Sequence, residues 1–366
     1  MIQSAYSKMG NILIKRTILS ISLILSVIFC FAQNAAIQTS IIDTAKTFEI
    51  YNDISNQTNL NNLDVVNFDV LNDTTVKETI KPIKKKQIIL IAGLGASTLG
   101  ASYAWANNAW WNGQKTSFHL DRDKHDGSIF SIFHGPDEKY AINLDKVAHF
   151  WGGVIYSDLF SYLLRESNVP TKKAALYGAL AGCAIQGFIE IKDGFAYNWG
   201  FSVLDVTAGS LGSFYSYTQN FVPALAATDI KISYLRRDDY YFTVHQDNPN
   251  RTWDEDYMNM TFWASYNPYR LMRHGEHVHP NWPKWLCISA GIGVDNTLDG
   301  YYTGFNLPKN KGQGNYEVYL STDLDFTGIF PKSKFFNSLA KVFNRVKFPM
   351  PALRFTPKVT FYPIYF

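Results

Sequence analysis

At 366 residues the chain is long enough for a sizeable core and two structural units. Its 34 Lys and Arg against 31 Asp and Glu leave a net charge of +3 with the basic residues scattered, which removes the electrostatic case for nucleic acid. Aromatic residues make up 16% of the chain, a supply suited to membrane interfaces, envelope sheets or glycan and lipid contacts.

The chain begins with Lys8, Lys15 and Arg16 ahead of an apolar run over 18–31, and Cys30-Phe31-Ala32 offers a small-residue cleavage site. This pattern predicts a signal peptide over 1–32, with an uncleaved anchor as the alternative. Phe29 is bulky where lipid modification of Cys30 prefers a small residue. Without the signal only Cys183 and Cys287 remain, too few for a disulfide framework. Residues 33–86 are rich in Asn, Thr and Asp without helical period, predicting a disordered tether that ends in Lys81, Lys84, Lys85 and Lys86.

Four helical segments are predicted next, over 88–105, 144–165, 171–192 and 202–220, forming a helical domain over 87–222. Small residues recur at helical spacing: Gly93, Ser97, Gly100 and Ala104 in the first segment, Ala174, Gly178 and Gly182 in the third. Such spacing lets helix backbones approach closely, as helix pairs do in lipid. Each segment is near the lower length limit for a membrane span, and Asp158 lies off the face that carries Asp145 and His149. The expectation is an exported bundle, membrane-attached or partly embedded, with a polytopic domain as its rival.

After Pro223 the period changes to alternation. Runs over 230–234, 241–245, 260–266, 286–294, 316–325 and 354–366 predict a β-rich domain over 223–366. An amphipathic helix over 335–346 carries Phe335, Phe336, Leu339, Val342 and Phe343 beside lysines and Arg345, fitting either an anionic membrane surface or the cover of a sheet. The terminal Tyr362-Pro363-Ile364-Tyr365-Phe366 resembles the C-terminal signature of outer-membrane barrels, with Pro363 a departure from it. The fold class expected is α+β: a small-residue-rich four-helix bundle followed by a β-rich region with one amphipathic helix.

Five charged or imidazole groups stand inside the apolar helical segments: Asp145, His149, Glu190, Asp193 and Asp205. Burying such groups is costly unless they are paired, hydrogen-bonded or metal-bound. Asp145 and His149 are one helical turn apart, so they share a face. Asp145 also reads as a helix N-cap ahead of Lys146. Asp193-Gly194 reads as a helix-ending turn with a left-handed glycine. Glu190 extends the row Gly178, Gly182, Gln186 into a helix interface and needs a partner, for which His149 or Lys146 is available. Asp205 lies one turn before Gly209 on a face meant for close packing.

His149, Glu190 and Asp205 are therefore the candidate catalytic or metal-ligating residues, with Asp145, Lys146 and Asp193 in supporting roles. Together they make a site for a divalent cation such as Zn, Mn or Mg, or equally a self-satisfied polar network that fixes helix register. The histidines at 119, 125 and 134 are too irregularly spaced to argue a site. The run His274, His277 and His279 reads as loop.

The same residues carry a family likeness. Trp110-Trp111, Ser117-Phe118-His119, Asp145-Lys146-Val147-Ala148-His149-Phe150, Glu190-Ile191-Lys192-Asp193-Gly194 and Trp199-Gly200-Phe201-Ser202-Val203-Leu204-Asp205 resemble the DUF2279 family of periplasmic lipoprotein-like proteins, in its long Bacteroidetes form. The resemblance implies a cell-envelope location. A second likeness is to VanZ-like membrane proteins, which combine Asp-Lys-x-x-His with a later Glu and Asp on short helices; here Lys192-Asp193 stands where an arginine is expected.

The function expected is that of a cell-envelope protein with a structural or binding role and a buried Asp/His/Glu network, on the periplasmic side and associated with the outer membrane. The alternatives are a metal- or carboxylate-dependent envelope enzyme acting on lipid or cell-wall material, and an outer-membrane barrel-like protein. The expected partners are membrane or envelope components. No cofactor is implied beyond a divalent metal.

Overall fold

The computed structural model describes residues 82–109, 111, 115–120, 140–196, 199–237, 239, 241–242, 253–274, 282–295, 315–329 and 340–366. The predicted signal peptide, the tether up to residue 81, the histidines at 125, 134, 277 and 279, and the start of the amphipathic helix lie outside them. Residues Ile83–Phe366 belong to one compact unit.

Among the described residues four long helices come first: α1 (Lys85–Ala109), α2 (Leu144–Glu166), α3 (Thr171–Asp193) and α4 (Val203–Thr218). Breaks are set locally. Pro170 is the N-cap residue of α3, where its missing N–H and fixed φ are tolerated. Ser202 caps α4 by accepting from the Asp205 N–H at 3.0 Å.

α2 is the central helix, packing on α3 and α4, which also touch each other. The close approach is made by glycine. A Cβ on Gly153 would lie 2.0 Å from the Gly209 carbonyl oxygen, and one on Gly212 would lie 1.9 Å from that of Phe150. Buried Ser157, Ser161, Ser213 and Ser216 fill the rest of the seam. Three helices thus form the tight bundle. α1, the expected fourth member, meets α3 where Tyr103 stacks on Phe188 and where Ala106 and Trp111 pack with Ile189. Its Gly93 and Gly100 have open space around them, so small-residue spacing there is not used for packing.

The chain turns through α5 (Pro223–Ala226) into the strands β1 (Thr228–Tyr234), β2 (Met260–Tyr266), β3 (Leu286–Asp295), β4 (Asn315–Leu324), β5 (Met350–Arg354) and β6 (Thr360–Tyr365). Short helices α6 (Pro268–His274) and α7 (Phe326–Ile329) lie between them. All neighbours are antiparallel, and sheet order follows chain order from β1 to β6. Of the predicted strand over 241–245, the described Tyr241 and Phe242 are helical. β5 was not anticipated; Pro351 within it argues against a strand. Pro363 is tolerated because β6 is an edge strand.

Which face is buried reverses the usual pattern of a sheet in water. On β4, Glu317, Tyr319, Ser321 and Asp323 point inward, while Tyr316, Val318 and Leu320 point outward. The sheet curls so far that Thr261 Oγ1 of β2 lies 2.7 Å from Tyr365 Oη of β6. Inside, Asp323 meets Lys231 at 2.9 Å and Lys347 at 4.0 Å. Glu317 is clamped by Arg237 and Arg354, and Arg270 bridges Asp229 and Asp325. Burial pushes the Lys347 ammonium down to about 8 against the pull of Asp323, with Lys231 adding repulsion. The apolar outer face at β1–β3 packs on the start of α2, where Leu144 joins Ile232, Met260, Phe262 and Val294.

Candidate functional site

The site lies where the start of α2, the end of α3 and the start of α4 converge. Its approach is strained: Ala141, Ile142 and Asn143 all lie in the left-handed region, with φ of 46°, 51° and 64°, unusual for non-glycine residues and more so for a β-branched one. α2 then begins at Leu144, with Asn143 as the N-cap residue making no side-chain bond. The reading of Asp145 as the cap is thereby corrected. Asp145 sits within the first turn, buried, with Oδ2 2.7 Å from Lys146 Nζ.

Lys146 also reaches Asp205 Oδ1 at 2.8 Å, tying α2 to α4. His149, one turn on, presents Nε2 to Glu190 Oε1 at 3.6 Å and to Asp205 Oδ2 at 3.9 Å. One ligand atom from each of His149, Glu190 and Asp205 lies within 4.8 Å of the other two. Glu190 is 1% exposed. Its Oε2 accepts from the Ser202 N–H at 3.0 Å, while Oε1 has no hydrogen-bond partner. The His149 side chain is 21% exposed, the most open of the three.

Gln186 decides which imidazole nitrogen faces the carboxylates with or without a proton. Its Nε2 donates to the His149 carbonyl oxygen at 3.1 Å, and a carbonyl can only accept. The amide oxygen therefore faces His149 Nδ1, at 3.0 Å, and Nδ1 must carry the proton. Nε2 is left directed at two carboxylates, as a lone pair in the neutral ring or an N–H in the charged one. Two glycines make room for this amide: a Cβ on Gly152 would lie 2.8 Å from Gln186 Nε2, and one on Gly209 2.5 Å from its Cγ. Gln186 was not among the predicted site residues. Its signal was present in the row Gly178, Gly182, Gln186, Glu190.

Lys146 pairs with Asp145 and Asp205, while Glu190 faces His149. Burial, with repulsion from Asp205 and Asp193, pushes the Glu190 carboxyl well above the usual carboxylate range. Nearby Tyr257 is half-buried; desolvation pushes its phenol well above the usual range, and Asp145 and Asp205 add to the effect. Asp193 stands apart from the cluster: it is the last residue of α3 and accepts from Trp111 Nε1 at 2.5 Å. The following Gly194 is right-handed, not left-handed as expected. Its lack of a side chain is needed instead because a Cβ would strike the Phe118 ring at 2.5 Å.

Residues 134–221 match the model of the family described as Predicted periplasmic lipoprotein (DUF2279). The match spans α2 to α4 and so contains the whole cluster, Gln186 and its two glycines. It supports a periplasmic, cell-envelope location. No curated protein and no solved structure matches the chain.

Proposed function

We propose that this chain is a cell-envelope protein whose helical bundle binds a divalent cation through His149, Glu190 and Asp205. The observation that carries the reading is the Glu190 carboxyl group: almost fully buried, with one oxygen making no hydrogen bond and directed at an imidazole nitrogen and a second carboxylate. A buried charge without a partner is costly. A divalent cation at this point would favour the ionised Glu190 carboxylate against the burial and the repulsion from Asp205 and Asp193 that oppose it. One nitrogen and two oxygen donors suit zinc or manganese, and three protein ligands leave open positions for water. The Gln186 amide, holding Nδ1–H, is the outer partner that metal-bound histidines require. A metal with an open position would supply an activated water for hydrolysis of lipid or cell-wall material.

A second reading is favoured by Lys146, which already pairs with Asp145 and Asp205: protons on His149 and Glu190 complete a purely structural network. Metal analysis separates the two. The full chain, purified without chelator and titrated with zinc and with manganese, should hold one equivalent, and His149→Ala and Glu190→Gln should each lose it while keeping their helical circular dichroism. Absence of binding in the parent protein, with both variants folded, would establish the network instead. Binding should also weaken as pH falls, because the ligands must shed protons to bind.

A further inference from the structure

We infer that the outer surface of this unit is immersed in a lipid bilayer with anionic head groups. Three independent features point there.

The first is the polarity of the bundle. Its interior is serine and glycine, while its outward positions are large and apolar: Leu176, Tyr177, Leu180 and Phe188 of α3, and Leu211 and Phe214 of α4, are 37–59% exposed. Water favours the opposite arrangement, whereas helices in lipid bury small residues and show large ones. On α3 no charged residue falls between Lys173 and Lys192 except the inward Glu190. That stretch rises about 27 Å, close to the hydrocarbon thickness of about 30 Å. α3 is the one helix among the described residues long and apolar enough to cross a membrane.

The second is where the charges lie. The Lys84 N–H donates to the Ser167 carbonyl at 3.1 Å, which gathers Lys84, Lys85 and Lys86 to the same end of the bundle as Lys172 and Lys173 on the next turn of chain. This basic end complements anionic head groups. At the other end Tyr103 and Trp111 surround Lys192, whose Nζ lies 5.1 Å from both rings, an aromatic and basic set of the kind found at membrane interfaces.

The third is the sheet. Ile288, Val318, Leu320, Phe361 and Ile364 project outward, 43–63% exposed, and a shallow apolar groove of about 330 Å³ runs between Ile288, Leu320, Leu353 and Phe361. Charge is kept inside. Apolar-out and polar-in alternation is the pattern of sheets that face lipid.

The test is collisional accessibility of spin labels. Leu180→Cys and Leu320→Cys, each in a Cys30→Ala, Cys183→Ala, Cys287→Ala background, are labelled and reconstituted into phosphatidylcholine vesicles containing a quarter phosphatidylglycerol. Oxygen, which partitions into hydrocarbon, should relax both labels strongly, while a water-soluble nickel chelate should not reach them. A label on Asp239, an exposed residue at Arg236, should show the reverse and report that the protein is folded and inserted. If the nickel chelate reaches Leu180 and Leu320, the surface faces water and the inference falls. If neither reagent reaches them, a second copy or other protein covers the face, and the inference falls too. Lys172→Glu with Lys173→Glu should reduce association with the anionic vesicles several-fold relative to vesicles of phosphatidylcholine alone; equal association would remove the head-group component. Neither arm depends on a metal, so failure here leaves the cation site standing, and the converse holds.

Discussion

The helical bundle and the curled sheet both bury charge, but they balance it differently. In the sheet the described carboxylates that its strands and their ends turn inward meet cations: Asp323 has Lys231 and Lys347, Glu317 has Arg237 and Arg354, and Arg270 joins Asp229 to Asp325. In the bundle Asp145 and Asp205 share Lys146, while Glu190 faces His149 at 3.6 Å and one of its oxygens has no hydrogen bond. A paired interior network serves packing and needs nothing from outside. A carboxyl group left without a cation is where the proposed binding would act.

That contrast can be broken by charge removal. The largest effect is expected in the sheet: Asp323→Asn strands two buried ammonium groups and should cost about 3–5 kcal/mol in chemical unfolding, the range for breaking one side of a buried pair. Next comes Gln186→Ala, which frees the His149 ring and should lower zinc affinity about 10–100-fold in a titration, as loss of an outer-shell partner does. In the metal-free protein, Glu190→Gln should do the opposite of Asp323→Asn and stabilise by about 1 kcal/mol, because it removes a carboxyl whose ionisation burial and the Asp205 carboxylate, within 4.8 Å, oppose. A destabilisation as large as that of Asp323→Asn would erase the contrast.

The smallest effect concerns Lys347. Its ammonium, pushed down to about 8 from an ordinary 10.5, binds its proton less tightly folded than unfolded. Over the window between those values the unfolded chain holds more protons, so stability should rise with pH there and be lowest below it. Lys347→Met should flatten that slope, measured as unfolding midpoint against pH.

Much of this was legible before any coordinates. His149, Glu190 and Asp205 stood out because charge in an apolar helical row demands a partner, and the structure brings those three together. The sequence explains Asp145 as a cap, which it is not, and Asp193 as a helix-ending turn, which it is; neither reading foresees the pairing of Asp145 with Lys146 or of Asp193 with the Trp111 indole. Both assignments rested on local patterns, and both partners come from side-chain geometry that local patterns do not encode. Helix ranges followed from periodicity, and most strands from alternation. What alternation cannot reveal is which of two faces turns inward: Glu317 and Asp323 would ordinarily be assigned to solvent. β5 was missed because Pro351 disqualifies a strand unless its ladder position is known.

The two glycines beside Gln186 bear on how this site would be lost. Gly152 and Gly209 belong to α2 and α4, and neither has a side chain with which to bind anything. A single methyl at Gly209 would nevertheless collide with the Gln186 chain at 2.5 Å, displace its amide, and leave the His149 proton free to move between ring nitrogens. The placement of the proton on Nδ1 is thus set by empty space on neighbouring helices, and a silent-looking exchange of glycine for alanine would switch off the histidine while leaving every candidate ligand in place.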